Sequence, residues 1–172
     1  MSVRPILIAP DPRLKLISEP VAEVDDHIRA LIADMIETMY DADGIGLAAI
    51  QVGVAKRIIV LDVEQKEGGR NPRVFINPVI TWNSEATEVM EEGCLSVPEI
   101  WDEVERPRAI KAQYLDSHGV PQSLDAKGIL AVCLQHEMDH LNGVLFVDHL
   151  SKLKRSMALK KLAKAKKLKK AG

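Results

Sequence analysis

The stretch GILAVCLQHEMDHLNG, residues 128–143, decides how the chain is read. Its apolar half, ILAVCL, has no polar face, which predicts a helix buried in the core over residues 128–141. Asn142-Gly143 is a stop signal for that helix. The polar half carries His136, Glu137 and His140 in the spacing H-E-x-x-H. On a helix, residues i and i+4 sit about 40° apart and about 6 Å along the axis. Two imidazoles can then reach one metal ion. Glu137 lies about 100° round from His136, within reach of a water on that metal, as a general base must be. The bland alternative is two histidines on a solvated face, and the apolar surroundings argue against it.

A catalytic metal usually takes three protein ligands and keeps one position open. His27 begins a surface helix, His118 sits in a turn, and His149 lies well past the helix end, so none is well placed. Cys133 shares the stripe of the two histidines, but it sits a turn or more away along the axis and has a short side chain. Cys94, in EEGCLSVP, can reach in from another segment. Its alternative reading is a small buried apolar residue.

Outward from this helix, the chain reads as one domain. Its 172 residues are 47% apolar and 28% charged, ordinary for a soluble globular protein. Aromatics are 3%, which argues against a base-stacking platform. The absence of a long apolar run argues against a membrane span, and no membrane partner is expected. The opening MSVRPILIAPDPRL does not read as a signal peptide, so the expected location is the cytoplasm. A reducing compartment argues against pairing of Cys94 with Cys133.

Asp25 or Asp26 caps a helix in which Ile28, Leu31, Ile32, Met35, Ile36 and Met39 repeat at helical spacing. That helix should end before Gly44. GIGLAAIQVG, residues 44–53, reads as a loop or irregular strand with close backbone approach. Strands are expected at 57–63, 74–82 and near 85–90, 100–105 and 109–115. Pro78 places the second of these at a sheet edge or a bulge. Residues 64–72 read as an exposed loop, and residues 116–119 as a turn. Strands fill the middle and helices the ends, without βαβ alternation. The expected fold is α+β, with antiparallel sheets packed around the central helix and a C-terminal helix.

Charge is divided unevenly. Residues 152–172 hold nine Lys, one Arg and no acid. That leaves 13 of the 23 basic residues against all 25 acidic ones in residues 1–151, a formal −12 in a chain of net −2. The catalytic unit is thus read as 1–151, and 152–172 as its basic helical tail, with Leu153, Met157, Leu162 and Leu168 as the apolar stripe.

GIGLAAIQVG, EEGCLS and QHEMDHLNG, in this order, resemble the three signature motifs of peptide deformylase, and PDPRL and INP resemble its bacterial members. The resemblance covers nearly the whole chain. It implies hydrolytic removal of the formyl group from the N-terminal formyl-methionine of new polypeptides. It places the metal ligands on Cys94, His136 and His140, the acid/base on Glu137, and the oxyanion donors on the Gln51 side chain and the Leu95 N–H. It maps the methionine pocket onto Ile45, Met90, Ile129, Val132 and Cys133. Gly44, Gly46 and Gly93 leave room for a peptide to lie alongside as an added strand. Trp101 falls where the family contacts later residues. The implied cofactor is one divalent ion, Fe2+ in the cell, with Zn2+ or Ni2+ able to use the same ligands. The implied partners are nascent N-formylated chains and, through the basic tail, the ribosome. The chain is read as a monomer. Each of the two histidines is expected to hydrogen-bond a further group through its other ring nitrogen, with Glu92 or Asp139 as candidates.

Two rival readings remain at this point. A zinc endopeptidase requires a third His or Glu ligand. A non-enzymatic ribosome- or RNA-associated protein with a structural metal requires four protein ligands in a closed site.

Overall fold

The computed structural model describes residues 2–65 and 69–171. In chain order the elements are α1 (Asp26–Asp41), β1 (Gly46–Ala48), β2 (Ile58–Leu61), β3 (Arg73–Asn83), β4 (Thr87–Cys94), β5 (Val97–Pro107), β6 (Ala109–Leu115), β7 (Pro121–Lys127), α2 (Ile129–Leu141) and α3 (Lys152–Ala171). Five strands form one antiparallel sheet in the order β1-β2-β3-β6-β7, and β4 and β5 form a separate hairpin. The architecture is the expected α+β. No helix among the described residues is long and apolar enough to cross a membrane.

Local chemistry sets the helix ends. The Asp25 carboxylate accepts from Ile28 N at 3.0 Å and caps α1. At the end of α2, Val144 N–H donates to Asp139 O at 2.9 Å and Gly143 N–H to His140 O at 3.1 Å. This Schellman closure stops the helix just after its second histidine. Gly143 has φ 75°, and a Cβ there would lie 2.4 Å from the Lys15 carbonyl oxygen, so only glycine suits the position.

The sheet is covered on both faces, which is why β2 is apolar at every position. Ile58 and Val60 pack toward α1 with Met35 and Met39. Ile59 and Leu61 pack toward α2 with Leu134 and Met138. At roughly 1.5–3 kcal/mol per fully buried aliphatic side chain, these four residues are a main source of cohesion. A third cluster joins β5 to α3: Val97, Ile100 and Val104 meet Phe146, Ala158 and Leu162.

Several expectations need correction. Of the edge and the bulge expected for the strand over 74–82, the bulge is found, because β3 is the middle strand of five. Its Pro78 lies within a register shift between Ile76 and Val79, so the missing N–H falls in a bulge. β7 was not expected; PQSLDAK has no apolar alternation, and only Ala126 of it is buried. The β4–β5 hairpin is longer than its two expected strands and runs on to Cys94 and Val97. The central helix is not buried throughout, since Ile129 is half exposed at a cavity mouth. In α3 the inward residues are Ala158 and Leu162, while Leu153 and Met157 face outward. The Leu168 side chain and residues 66–68 of the predicted loop lie outside the described residues.

The bulge depends on Asn77. This residue has φ 51°, and its side chain accepts from Val21 N at 2.8 Å and donates to Val21 O at 2.9 Å. Asn77→Ala should therefore lower unfolding free energy by about 2–3 kcal/mol, through two lost hydrogen bonds and left-handed strain. Asn77→Gly should cost less, because glycine relieves the strain while losing the same bonds. Urea unfolding midpoints of the three proteins test that order.

Candidate active site

Three separate elements converge at one end of α2. The helix presents His136, Glu137 and His140, all buried. The β4–β5 turn presents Cys94, whose pairing with Val97 follows a register irregularity after Glu92. The turn of 3-10 helix Ala49–Val52 presents Gln51, also buried. Cys94 Sγ lies 3.3 Å from His140 Nε2, and the ligand atoms of Cys94, His136 and His140 all fall within 4.8 Å of one another. Around a tetrahedral ion with metal–sulfur near 2.3 Å and metal–nitrogen near 2.0–2.1 Å, neighbouring ligand atoms stand roughly 3.3–3.6 Å apart. The three residues fit such an ion. Sequence reasoning named the same trio, and the fold brings it together. His149 does not join it; its Nε2 contacts Asp139 at 2.8 Å.

Gln51 is held by its own backbone and by the turn opposite. Its Oε1 accepts from Ala48 N at 2.9 Å, and its Nε2 donates to Ser96 Oγ at 3.0 Å and toward Cys94 Sγ at 3.5 Å. The amide is thus fixed beside the thiol. Leu95 follows Cys94 in the turn, and its side chain packs against Gly44.

Of the hydrogen-bond partners expected for both histidines, one is found at His136, and His140 Nδ1 has none among the described residues. Glu92 Oε1 lies 2.9 Å from His136 Nδ1, which leaves Nε2 to face the site. Arg106 clamps the same carboxylate with two bonds, at 2.6 and 2.9 Å, and reaches Asp139 at 2.9 Å. Asp139 therefore serves Arg106 and His149 and neither His136 nor His140. Burial raises the Glu92 carboxyl, but His136 and Arg106 outweigh it and hold it below the usual range.

Burial pushes the Glu137 carboxyl up to about 7, with His136 opposing and Glu92 adding. Its Oε1 stands 3.7 Å from His136 Nε2, and its Oε2 has no protein partner among the described residues. A buried carboxyl with a titration near neutrality can take up and return a proton. Burial holds His140 well below the usual imidazole range. Burial also lowers His136, but Cys94 and Glu92 outweigh it and raise it; ligation of a cation at Nε2 requires loss of that proton.

A cavity of about 410 Å³ opens beside this centre. Ile45, Met90, Ile129, Val132 and Cys133 line it, with Gly44, Gly46, Gly93, Cys94, Leu95, His136 and Glu137. Every pocket residue expected from the sequence is therefore on its wall. The Cys133 thiol is pushed up to about 12, first by burial and then by Glu137 and Glu92, so it stays protonated as part of the wall. The glycines need a correction. A Cβ on Gly44 would meet Leu95 at 2.6 Å, one on Gly46 would meet Leu61 at 2.7 Å and Glu137 Oε1 at 3.1 Å, and one on Gly93 would meet the Trp101 ring at 2.5 Å. The room they leave is filled from within the chain.

Sequence reasoning missed Arg106 and set Trp101 aside. Trp101 lies flat over Gly93 on the cavity wall and is 65% exposed. A signal for Arg106 existed. It alternates in phase with Ile100 and Val104, the inward face of β5, and an inward arginine needs a carboxylate.

Comparison with known proteins points one way. The family model described as polypeptide deformylase matches residues 3–156. A peptide deformylase of Rhizorhabdus wittichii is 60% identical over 99% of both chains, and one of Phenylobacterium zucineum is 58% identical over 95% of this chain and 97% of its own. The crystal structure of the Ehrlichia chaffeensis peptide deformylase in complex with actinonin superimposes with a TM-score of 0.92 at 48% identity, covering 96% of this chain and 98% of that one. A Legionella pneumophila peptide deformylase structure gives 0.92 at 46% identity over 99% of both. The matched span includes every residue of the centre, and the chain belongs to the polypeptide deformylase family, the hydrolases that remove the formyl group from N-formylmethionine polypeptides.

Proposed function

We propose that Cys94, His136 and His140 hold the metal, that Glu137 is the acid/base, and that the Gln51 amide and Leu95 N–H receive the oxyanion. The observation that carries this is one thiol and two imidazoles gathered beside a partnerless carboxylate oxygen at the wall of an apolar cavity. A divalent ion, Fe2+ in the cell with Zn2+ or Ni2+ as substitutes, supplies Lewis acidity toward the formyl oxygen and the attacking water. Glu137 accepts a proton from that water and returns it to the departing amine. Gln51, locked by Ala48 and Ser96, donates to the oxygen where charge develops without needing to reorient. Ile45, Met90, Ile129, Val132 and Cys133 enclose the methionine side chain, whose unbranched thioether suits an apolar cavity. Gly44 to Gly46 and Gly93 flank the peptide, which adds to the free edge of β1.

The polypeptide is one unit, residues 1–151 with 152–172 as its basic tail, acting as a monomer in the cytoplasm on nascent formylated chains. The tail supports ribosome contact: Lys160, Lys164 and Lys167 are exposed on α3 with no acidic partner among the described residues, as salt-sensitive phosphate contacts require.

Glu137→Gln should lower formate release from a formyl-Met peptide by about 10²–10⁴-fold. Bound metal should remain. Cys94→Ser should instead deplete metal, read by elemental analysis of the purified protein; unchanged metal content would favour the endopeptidase reading. The triple change of Lys160, Lys164 and Lys167 to Glu should abolish co-sedimentation with ribosomes at low salt and leave formate release from a short peptide unchanged. Equal sedimentation of variant and wild type would remove the tail from ribosome contact.

A further inference from the structure

The cavity edge formed by residues 42–46 is braced from behind by one loop. Ile45 sits between two glycines, so its backbone carries little stiffness of its own. β1 is the edge strand of its sheet, and Gly44 precedes the first strand pairing, at Gly46 with Leu61. The bracing comes from residues 62–65 and 69–71 of that loop. Asp62 N–H donates to Ile45 O at 2.8 Å. Gln65 Nε2 donates to Gly44 O at 3.0 Å and to Asp62 O at 3.0 Å. Both Gln65 partners are carbonyl oxygens, so the amide nitrogen must face them.

The loop has its own anchor. The Asp62 carboxylate is buried, and it accepts from Tyr40 OH, from Glu64 N at 3.1 Å and from Asn71 N at 2.9 Å. One carboxylate therefore ties both ends of the loop to α1. The Arg70 guanidinium stands 4.3 Å over the Tyr40 ring on the same side. A buried carboxylate is costly unless fully bonded, and here its donors come from the segments that hold Gln65.

We propose that Gln65 is a positioning residue for the peptide: its amide holds the Gly44 carbonyl, so the 44–46 edge is already set when the substrate main chain adds to it. This rests on the deformylase reading above. An edge ordered beforehand spares the complex that ordering on binding. The chemical step lies with Glu137, on α2, which Gln65 does not touch. Loss of the bond therefore weakens binding of peptide and leaves turnover of bound peptide in place. A loop staple with no further role would instead change stability alone.

Steady-state kinetics on a formylated Met tripeptide, followed by formate release, test this with Gln65→Ala and Gln65→Glu. The glutamate has the size of glutamine but cannot donate when ionised. Both variants should raise KM roughly 3- to 10-fold with kcat held within about two-fold, the scale of one hydrogen bond lost from binding. Their melting temperatures should stay within about 3 °C of wild type. Unchanged KM in both variants, a Gln65→Glu protein that behaves as wild type, or kcat falling with KM constant would each overturn the proposal. If wild type itself releases no formate, the deformylase reading fails; if wild type is active and the variants match it, only the role of Gln65 fails.

Discussion

Burying a charged or polar side chain without partners costs several kcal/mol, and α2 buries His136, Glu137 and His140 together. Much of the remaining structure is arranged around that constraint. His136 is satisfied by Glu92 from β4, Glu92 by Arg106 from β5, and Arg106 by Asp139, which reaches the half-exposed His149. A chain of bonds thus runs from the core to the surface. It also fastens the β4–β5 hairpin, which has no place in the main sheet, to the central helix. A buried ion pair that loses one member leaves the other uncompensated at about 3–5 kcal/mol, so the hairpin and helix hold each other in register.

The same fastening positions the chemistry. Cys94 sits at the end of β4, so the bonds that hold Glu92 also set the thiol against His140. Gln51 then bridges from the 3-10 turn to Ser96 and closes the third side. Glycines permit the close approach. Gly46 lets Glu137 come near β1, and Gly93 seats the Trp101 ring. The cavity is therefore tight because internal side chains occupy the space that those glycines vacate.

Charge separation between body and tail has a structural counterpart. α3 lies on β5 through Ala158 and Leu162, and its cations meet the acidic body at Lys154 with Asp102 and Arg155 with Asp148. Such exposed pairs contribute about 0–1 kcal/mol each, so apolar packing does most of the docking. Lys161 adds a bond to the Glu99 carbonyl at 3.4 Å, while Lys160, Lys164 and Lys167 are exposed.

Local interactions were legible in the sequence. The i, i+4 spacing put two imidazoles on one helix face, the Asp25 cap and the Asn142-Gly143 stop set helix ends, and the apolar run within residues 57–63 announced a strand. These depend on neighbours within a few residues, which the sequence displays directly. Non-local facts were harder. Pro78 left an edge and a bulge both open, because nothing nearby in sequence reveals whether the strand that carries it is central. The polar β7 left no periodic trace, and the stripe of α3 was misjudged because only the partner surface decides which of its faces is inward. Reach excluded Cys133 as a ligand, and the motif resemblance named Cys94. What the chain determined by itself was the helix and its histidines; what only the tertiary structure decided was the Arg106 clamp and the seating of a thiol 46 residues away in sequence, because both require distant strands to meet at defined distances.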